Sequence, residues 1–403
     1  MSGIEVKSLK YNLIGGGVPF GCKVSDGKII PALSEGKLDA TAPKKVWYAT
    51  FARGTDRIFA LSDSEMYTAE ENGAFKRIAA DTAKIPFVID FNSDGKAVTR
   101  FLCDNRYIQA DKSGASLDTY TQYFGGGIYK NGRVFAIDLR NTCKIRWSGE
   151  GGVDDWEGKI DGAGWLHSDV ELGEIYRLYT LRGQIVALRK NGISLINAYG
   201  APENFKEIAS VVTPPPYKEC AAVCGNKLYF YTNDGLYSFN AAGAEKVNIE
   251  LGKDFVSPVC SMAYGDHVFF TGTHKELEKT VVLVYDTNEK SSYFIDLEAT
   301  ALCAGSLPYA FTSRGMITLE RGGPFKYRSQ EFAGFSKRNK TLKSLYVSSE
   351  IEVDVTVETD KGSRLFKGVK GELKPHICGR CFKVEISGKA NEISELTAQV
   401  DYY

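Results

Sequence analysis

A chain of 403 residues is long enough for two or three domains, or for one large β-fold with a small appendage. Fifty Lys and Arg balance fifty Asp and Glu, which removes the positive field that non-specific nucleic-acid binding depends on. With 43% hydrophobic and 25% charged residues, disorder and coiled coil are excluded, and 41 Gly, 22 Tyr and 22 Phe beside 12 Pro and 4 Met point to a β-rich chain with many turns.

The first 45 residues have no blade-like pattern. Met1–Val6 lacks a basic and apolar leader, and no later stretch reaches the roughly 18 apolar residues of a membrane span, so a soluble cytoplasmic product is expected. Leu13–Phe20 and Asp26–Pro31 read as extended chain that packs on the body or closes it with a strand. From residue 46 one grammar repeats: a short apolar strand, a polar turn, then a second alternating strand. In chain order the units are Ile58–Tyr67, Arg100–Ile108, Val134–Trp147, Ile185–Leu195, Leu228–Phe239, Val268–Tyr285 and Tyr309–Leu319, each read as a hairpin. Asn-Gly, Asp-Gly and Arg-Gly pairs are expected to supply the positive φ of three of the turns. Further strand-like runs, such as Trp47–Phe51 and Ala74–Ile78, flank the first unit and bring it toward four strands. The turns recur at roughly 35 to 50 residues, centred near 42, the period of a propeller blade. Gly125–Gly127 reads as a crowded inner strand near the axis, because no helix pattern or phosphate-loop lysine follows it.

These features predict an all-β protein: a β-propeller over 46–335, with seven blades fitting the period best and six or eight also compatible. Residues 1–45 are expected to form the packing or closing segment. After a charged stretch from Lys337 to Lys343, Ile351, Val353, Val355 and Val357 alternate on one face, and Cys381–Ser387 and Leu396–Tyr402 alternate similarly. Residues 338–403 are therefore expected to form a small antiparallel β-sandwich.

Chemistry-bearing motifs are sparse. His376, Cys378 and Cys381 have metal-like spacing but no fourth ligand nearby, since His267 and His274 fall in the propeller; no metal or organic cofactor is expected. The nine cysteines have no framework spacing, and Cys220 and Cys224 lack a redox context, so they read as buried thiols. Thr232-Asn-Asp-Gly and Ser93-Asp-Gly miss the sialidase-type Asp-box and read as turns, while no nucleophile elbow or zinc-protease motif occurs. No catalytic residue is assigned, and the protein is not expected to be an enzyme. Ser148–Trp165 is glycine-rich and acidic, expected as a long loop on a propeller face. Its candidate contact residues are Asp154, Asp155, Trp156 and Trp165, with the tryptophans either pinned onto their own blade or exposed to anchor a partner.

The ordered series Arg133–Asp138, Lys144–Gly149, Asp154–Trp156, Gly173–Leu178 and Arg182–Ile196 resembles propeller structural proteins of tailed bacteriophages and prophages, such as the head-to-tail hub that stabilises packaged DNA in short-tailed phages. The resemblance implies a non-enzymatic virion component of the neck, tail or baseplate, present in the host bacterial cytoplasm during assembly and then in the particle. Its implied partners are other virion proteins or a second copy of the chain, with neither sequence-specific nucleic-acid nor membrane binding. A carbohydrate-binding propeller, either an adhesin or a weak glycosidase in which Trp156 and Trp165 stack sugars, is the alternative.

Overall fold

The computed structural model describes residues 7–402 except 44, 71–72, 80–86, 94, 112–114, 158–161, 335–337 and 390. Residues 1–6, on which the expected lack of a leader rests, the propeller boundary at 335 with Lys337, and 158–161 of the glycine-rich loop therefore lie outside the described residues. Among the described residues there is no α-helix, only the short 3-10 turns Pro202–Asn204 and Glu250–Asp254.

The N-terminal segment supplies β1 (Lys7–Asn12), β2 (Val18–Phe20), β3 (Cys22–Ser25), β4 (Lys28–Pro31) and β5 (Leu33–Ala40). A four-stranded sheet follows: β6 (Val46–Ala52), β7 (Arg57–Ser62), β8 (Glu65–Ala69) and β9 (Lys76–Ala79). The next sheet has six strands: β10 (Phe87–Ser93), β11 (Lys96–Ala110), β12 (Ala115–Lys130), β13 (Arg133–Asp138), β14 (Lys144–Trp147) and β15 (Gly164–His167). Two four-stranded sheets come after it. One contains β16 (Ile175–Leu181), β17 (Gln184–Arg189), β18 (Gly192–Asn197) and β19 (Lys206–Val212). The other contains β20 (Pro216–Cys224), β21 (Lys227–Thr232), β22 (Gly235–Asn240) and β23 (Gly243–Lys246). The strands β24 (Phe255–Tyr264), β25 (His267–His274), β26 (Lys279–Asp286) and β27 (Ser291–Ile295) form the next blade. The last is β28 (Ala301–Ala304), β29 (Pro308–Thr312) and β30 (Gly315–Arg321), with β5 as its fourth strand. Closure of the ring thus joins residues about 280 positions apart, as Leu319 pairs with Glu35.

Six sheets make the propeller where the period suggests seven hairpin units. The difference lies in the six-stranded sheet, whose long strand β12 pairs with β11 over Ala115–Phe124 and with β13 over Phe124–Lys130. Arg100–Ile108, expected as a hairpin, is one continuous part of β11; its Asp104 takes φ +57° at a register shift, bending the strand instead of reversing it. Gly127 in β12 is a close-approach glycine, since a Cβ there would lie 2.4 Å from the Phe135 carbonyl oxygen.

Middle strands carry unbroken apolar runs because both faces are covered by neighbouring blades. In β25, Val268 and Phe270 face Tyr231 and Phe255, whereas Phe269 faces Ala310 and Ile317 on the other side. Each such side chain contributes about 1.5–3 kcal/mol on burial.

The remaining strands are β31 (Pro324–Arg328), β32 (Lys340–Ser349), β33 (Val353–Thr359), β34 (Gly362–Val369), β35 (Gly371–Leu373), β36 (Ile377–Gly379), β37 (Phe382–Lys389) and β38 (Ile393–Tyr402). They form two facing layers, but residues 338–403 do not complete them alone. β1 pairs with β38, β4 touches β38 at Ile393, and β2 and β31 extend the layer that holds β37, β33 and β34. The shared core packs Val355, Val357, Val384 and Ile386 against Leu345, Val347, Leu396 and Val400. Ile351 falls outside the alternating strand and is exposed. Lys340, expected in a charged linker, opens β32 fully buried and donates to the Arg380 carbonyl at 2.6 Å.

Through β2 this module continues the sheet of β24–β27 in the propeller, and a buried ion pair adds to the join. Phe20 pairs in parallel with Phe294 of β27. Lys23, 5% exposed, forms ion pairs with Asp286, at 3.4 Å, and Glu289.

Candidate functional site

Two places collect the chemistry. The first is the loop between β14 and β15. Arg133, buried in β13, anchors its start by donating to the Ser148 carbonyl at 2.9 Å and pairing with Glu150 at 3.1 Å. Asp154 pairs with the buried Arg100 guanidinium at 2.5 Å, tying the loop back to β11. Asp155 holds the turn through its backbone, accepting from Gly149 N–H at 2.8 Å and donating to the Gly152 carbonyl at 3.0 Å. Trp156 is 4% exposed, with its ring 4.0 Å from that of Phe124. It therefore presents no surface to a partner or a sugar in this conformation.

Trp165 differs. The expected loop ends early, because Gly164 and Trp165 open β15, where Trp165 pairs with Arg146. An outer strand is paired on one edge only, so it tolerates glycine and polar residues that an inner strand would not. Trp165 is 51% exposed, with the Lys144 ammonium 4.3 Å above its ring and His167 edge-on at 5.0 Å. The end of β15 meets the start of β19: Ser168 Oγ and Asp169 N–H both donate to Glu207. Val170 and Ile208, which follow the joined Asp169 and Glu207, are also exposed.

The second place is a cavity of about 450 Å³ where β6, β16, β20, β24 and β28 converge. The bonds that fix it step between blades by 42 residues. Arg177 Nη1 donates to Glu219 Oε2 at 3.0 Å, the Tyr179 hydroxyl to the Ala221 carbonyl at 3.2 Å, and Ser261 Oγ to the Glu219 carbonyl at 3.1 Å. Burial works against the Arg177 charge, but Tyr48 and Glu219 outweigh it and hold the guanidinium above its ordinary value. Burial pushes the Tyr179 hydroxyl up and the Cys260 thiol up to about 11. Among the described lining residues Glu219 is the only carboxylate, so the wall offers no pair of acids for glycosidic chemistry. No chemical motif in the sequence marks these residues as a site, although Trp47–Phe51 is one of the strand-like runs and Arg177 falls in the Gly173–Leu178 stretch of the resemblance. Their only signal is the period itself, which puts Arg177, Glu219, Ser261 and Cys303 at successive 42-residue steps.

Of the eight described cysteines, Cys22, Cys220, Cys224 and Cys303 are buried, while Cys143, Cys260 and Cys381 are half-buried and Cys378 is exposed. This differs from the uniform burial expected, because Cys378 sits on the short edge strand β36. No group of three or more His, Cys, Asp or Glu residues arranged for a metal occurs among the described residues.

No known family profile matches the chain, and no curated protein sequence matches it. Among solved structures, the extracellular domain of a one-component system from B. thetaiotaomicron is similar at 10% identity with a TM-score of 0.50, over 93% of this chain and 62% of that one. The WD40 domain of Neurospora crassa Pan2 matches at 8% identity and a TM-score of 0.48, over 68% of this chain and 88% of that one. Hydrazine synthase of Kuenenia stuttgartiensis matches at 9% identity and a TM-score of 0.46, over 70% of this chain and 97% of that one. The class of protein is a β-propeller, as its ring of sheets closed by β5 defines. At these identities the likeness concerns the fold alone, and none of the three is named as a phage protein.

Proposed function

We propose that this propeller is a non-enzymatic assembly protein that acts through protein–protein contacts, as a structural component of a phage or prophage particle in the neck, tail or baseplate. The observation that carries the reading is the half-exposed Trp165 on an outer strand, with exposed Val170 and Ile208 beside the Asp169–Glu207 contact at the end of that strand. Exposed apolar groups gathered together are a feature of interaction surfaces, and a tryptophan at the centre of an interface carries a large share of its binding energy. Trp165 and Val170 lie within the segment that resembles phage propellers, Arg133–Ile196, and Ile208 lies just beyond it.

The test is Trp165→Ala in a producing host, with particles purified on a density gradient and the chain quantified by mass spectrometry. The wild-type chain should co-purify with particles. The variant should keep its melting temperature within about 2 °C, because the ring lies outside the core, yet be depleted from particles by about tenfold or more. Absence of the wild-type chain from particles would overturn the virion assignment, and normal incorporation of the variant would overturn the role of this surface.

A further inference from the structure

The axial cavity holds one ion pair in an otherwise mostly apolar and aromatic wall. Arg177 and Glu219 engage through a single N–O contact, and their side chains are 22% and 29% exposed, so each keeps part of its surface toward the cavity. Trp47, Tyr48 and Phe51 form one wall; Val259, Met262 and Leu302 form another. The volume falls within the roughly 300–1,000 Å³ of small-molecule sites.

Charge balance narrows the ligand. A lone anion could pair with Arg177 only by leaving Glu219 uncompensated in a poorly solvated space, and a lone cation would do the same to Arg177. A zwitterion adds no net charge. In an α-amino acid the carboxylate and ammonium are roughly 3 Å apart, by ordinary bond lengths and angles. That matches the 3.0 Å between the paired groups of Arg177 and Glu219. The aromatic wall can take an apolar side chain and can favour an ammonium over its ring faces.

We propose that the axial cavity binds a free α-amino acid with a large apolar or aromatic side chain, its carboxylate at Arg177 and its ammonium at Glu219. The binding is reversible and involves no covalent step.

Isothermal titration calorimetry on the full chain tests this with L-phenylalanine, L-leucine and L-tryptophan. The comparison ligands are 3-phenylpropionate, which lacks the ammonium, and phenethylamine, which lacks the carboxylate. At least one amino acid should give saturable binding, with both truncated analogues weaker by about tenfold or more. Arg177→Gln and Glu219→Gln should each weaken binding by a similar factor. Because that pair also links two blades, Val259→Trp serves as the variant that leaves it in place: Val259 is 60% exposed, so a larger side chain fills the cavity without entering the core. It should abolish binding with an unchanged melting temperature, while Trp165→Ala should leave binding intact. Failure of all three amino acids to bind, analogues binding as tightly as L-phenylalanine, or a Val259→Trp chain that binds normally would each overturn the proposal.

Discussion

Arg189 shows how a charge is accommodated between blades. It is fully buried, and donates to Ser168 Oγ at 2.7 Å, Ser194 Oγ at 3.1 Å and twice to the Gly173 carbonyl. Ser168 passes the contact on to Glu207, so the carboxylate acts through a hydroxyl. Two histidines impose a pH dependence. His267 Nε2 lies 3.5 Å from Asp286, which also pairs with Lys23. Burial lowers the pKa of His267, Asp286 opposes that, and Lys23 and Arg321 add to it. Burial lowers His274 as well, and its Nδ1 accepts the Leu277 N–H at 3.3 Å. The folded state thus prefers neutral imidazoles while the unfolded chain titrates near 6.5. As pH falls through that value the unfolded state takes up more protons, and stability drops. The melting temperature should therefore fall between about pH 7.5 and about pH 5.5, and His267→Gln should flatten the fall; a slope unchanged by that substitution would contradict the assignment.

At the scale of elements, the hairpins are tied by one recurring device. In Thr232–Gly235, Thr312–Gly315 and Thr359–Gly362 the threonine hydroxyl donates to the glycine carbonyl and accepts the N–H of the intervening third residue. The glycine follows a two-residue turn and opens the next strand, at φ +116°, +134° and +133°. Gly192 of the Asn-Gly pair is different. It has no positive φ, and is required because a Cβ would lie 2.2 Å from the Val211 carbonyl oxygen. The expected reason for glycine thus holds in two of the three pairs and is replaced by strand crowding in the third. The contrast can be measured. Gly235→Ala meets backbone strain with only Lys246 Cε at 3.6 Å, and should cost about 1–2 kcal/mol in urea unfolding. Gly315→Ala meets the same strain and places its Cβ 2.5 Å from the Ala40 carbonyl oxygen in the closing strand, and should cost more, about 3 kcal/mol or above. Equal costs would mean that β5 adjusts freely against β30.

For the whole molecule, closure depends on the N-terminal segment twice. β5 completes the last blade, while β1, β2, β3 and β4 complete the C-terminal layers. Gly17 and Gly21 let this segment thread closely past Tyr327 and Pro324, where a Cβ would lie 2.4 and 2.5 Å from their oxygens. A protease site engineered after Ala42 should therefore leave fragment 1–42 attached after cleavage, co-eluting with the remainder in size-exclusion chromatography. Separation of the pieces without denaturant would show that these pairings do not hold the two ends together.

The sequence by itself determined the strand grammar, the period near 42 and the alternation of Val353, Val355 and Val357, because these follow from local turn chemistry and from which faces must be buried. It left Arg100–Ile108 misread, since a polar Asp-Asn pair can bend a long strand as well as reverse it, and only the partner strands decide which. It also marked Trp156 and Trp165 alike, in one glycine-rich stretch; tertiary packing separated them, closing Phe124 over one and setting the other on a strand with an open outer edge. Arg177 and Glu219 lie 42 residues apart, and neither stands in a chemical motif. Only the ring, by bringing equivalent positions of adjacent inner strands to hydrogen-bonding distance around one axis, makes them a site, because that proximity is a property of closure and is absent from the local chain.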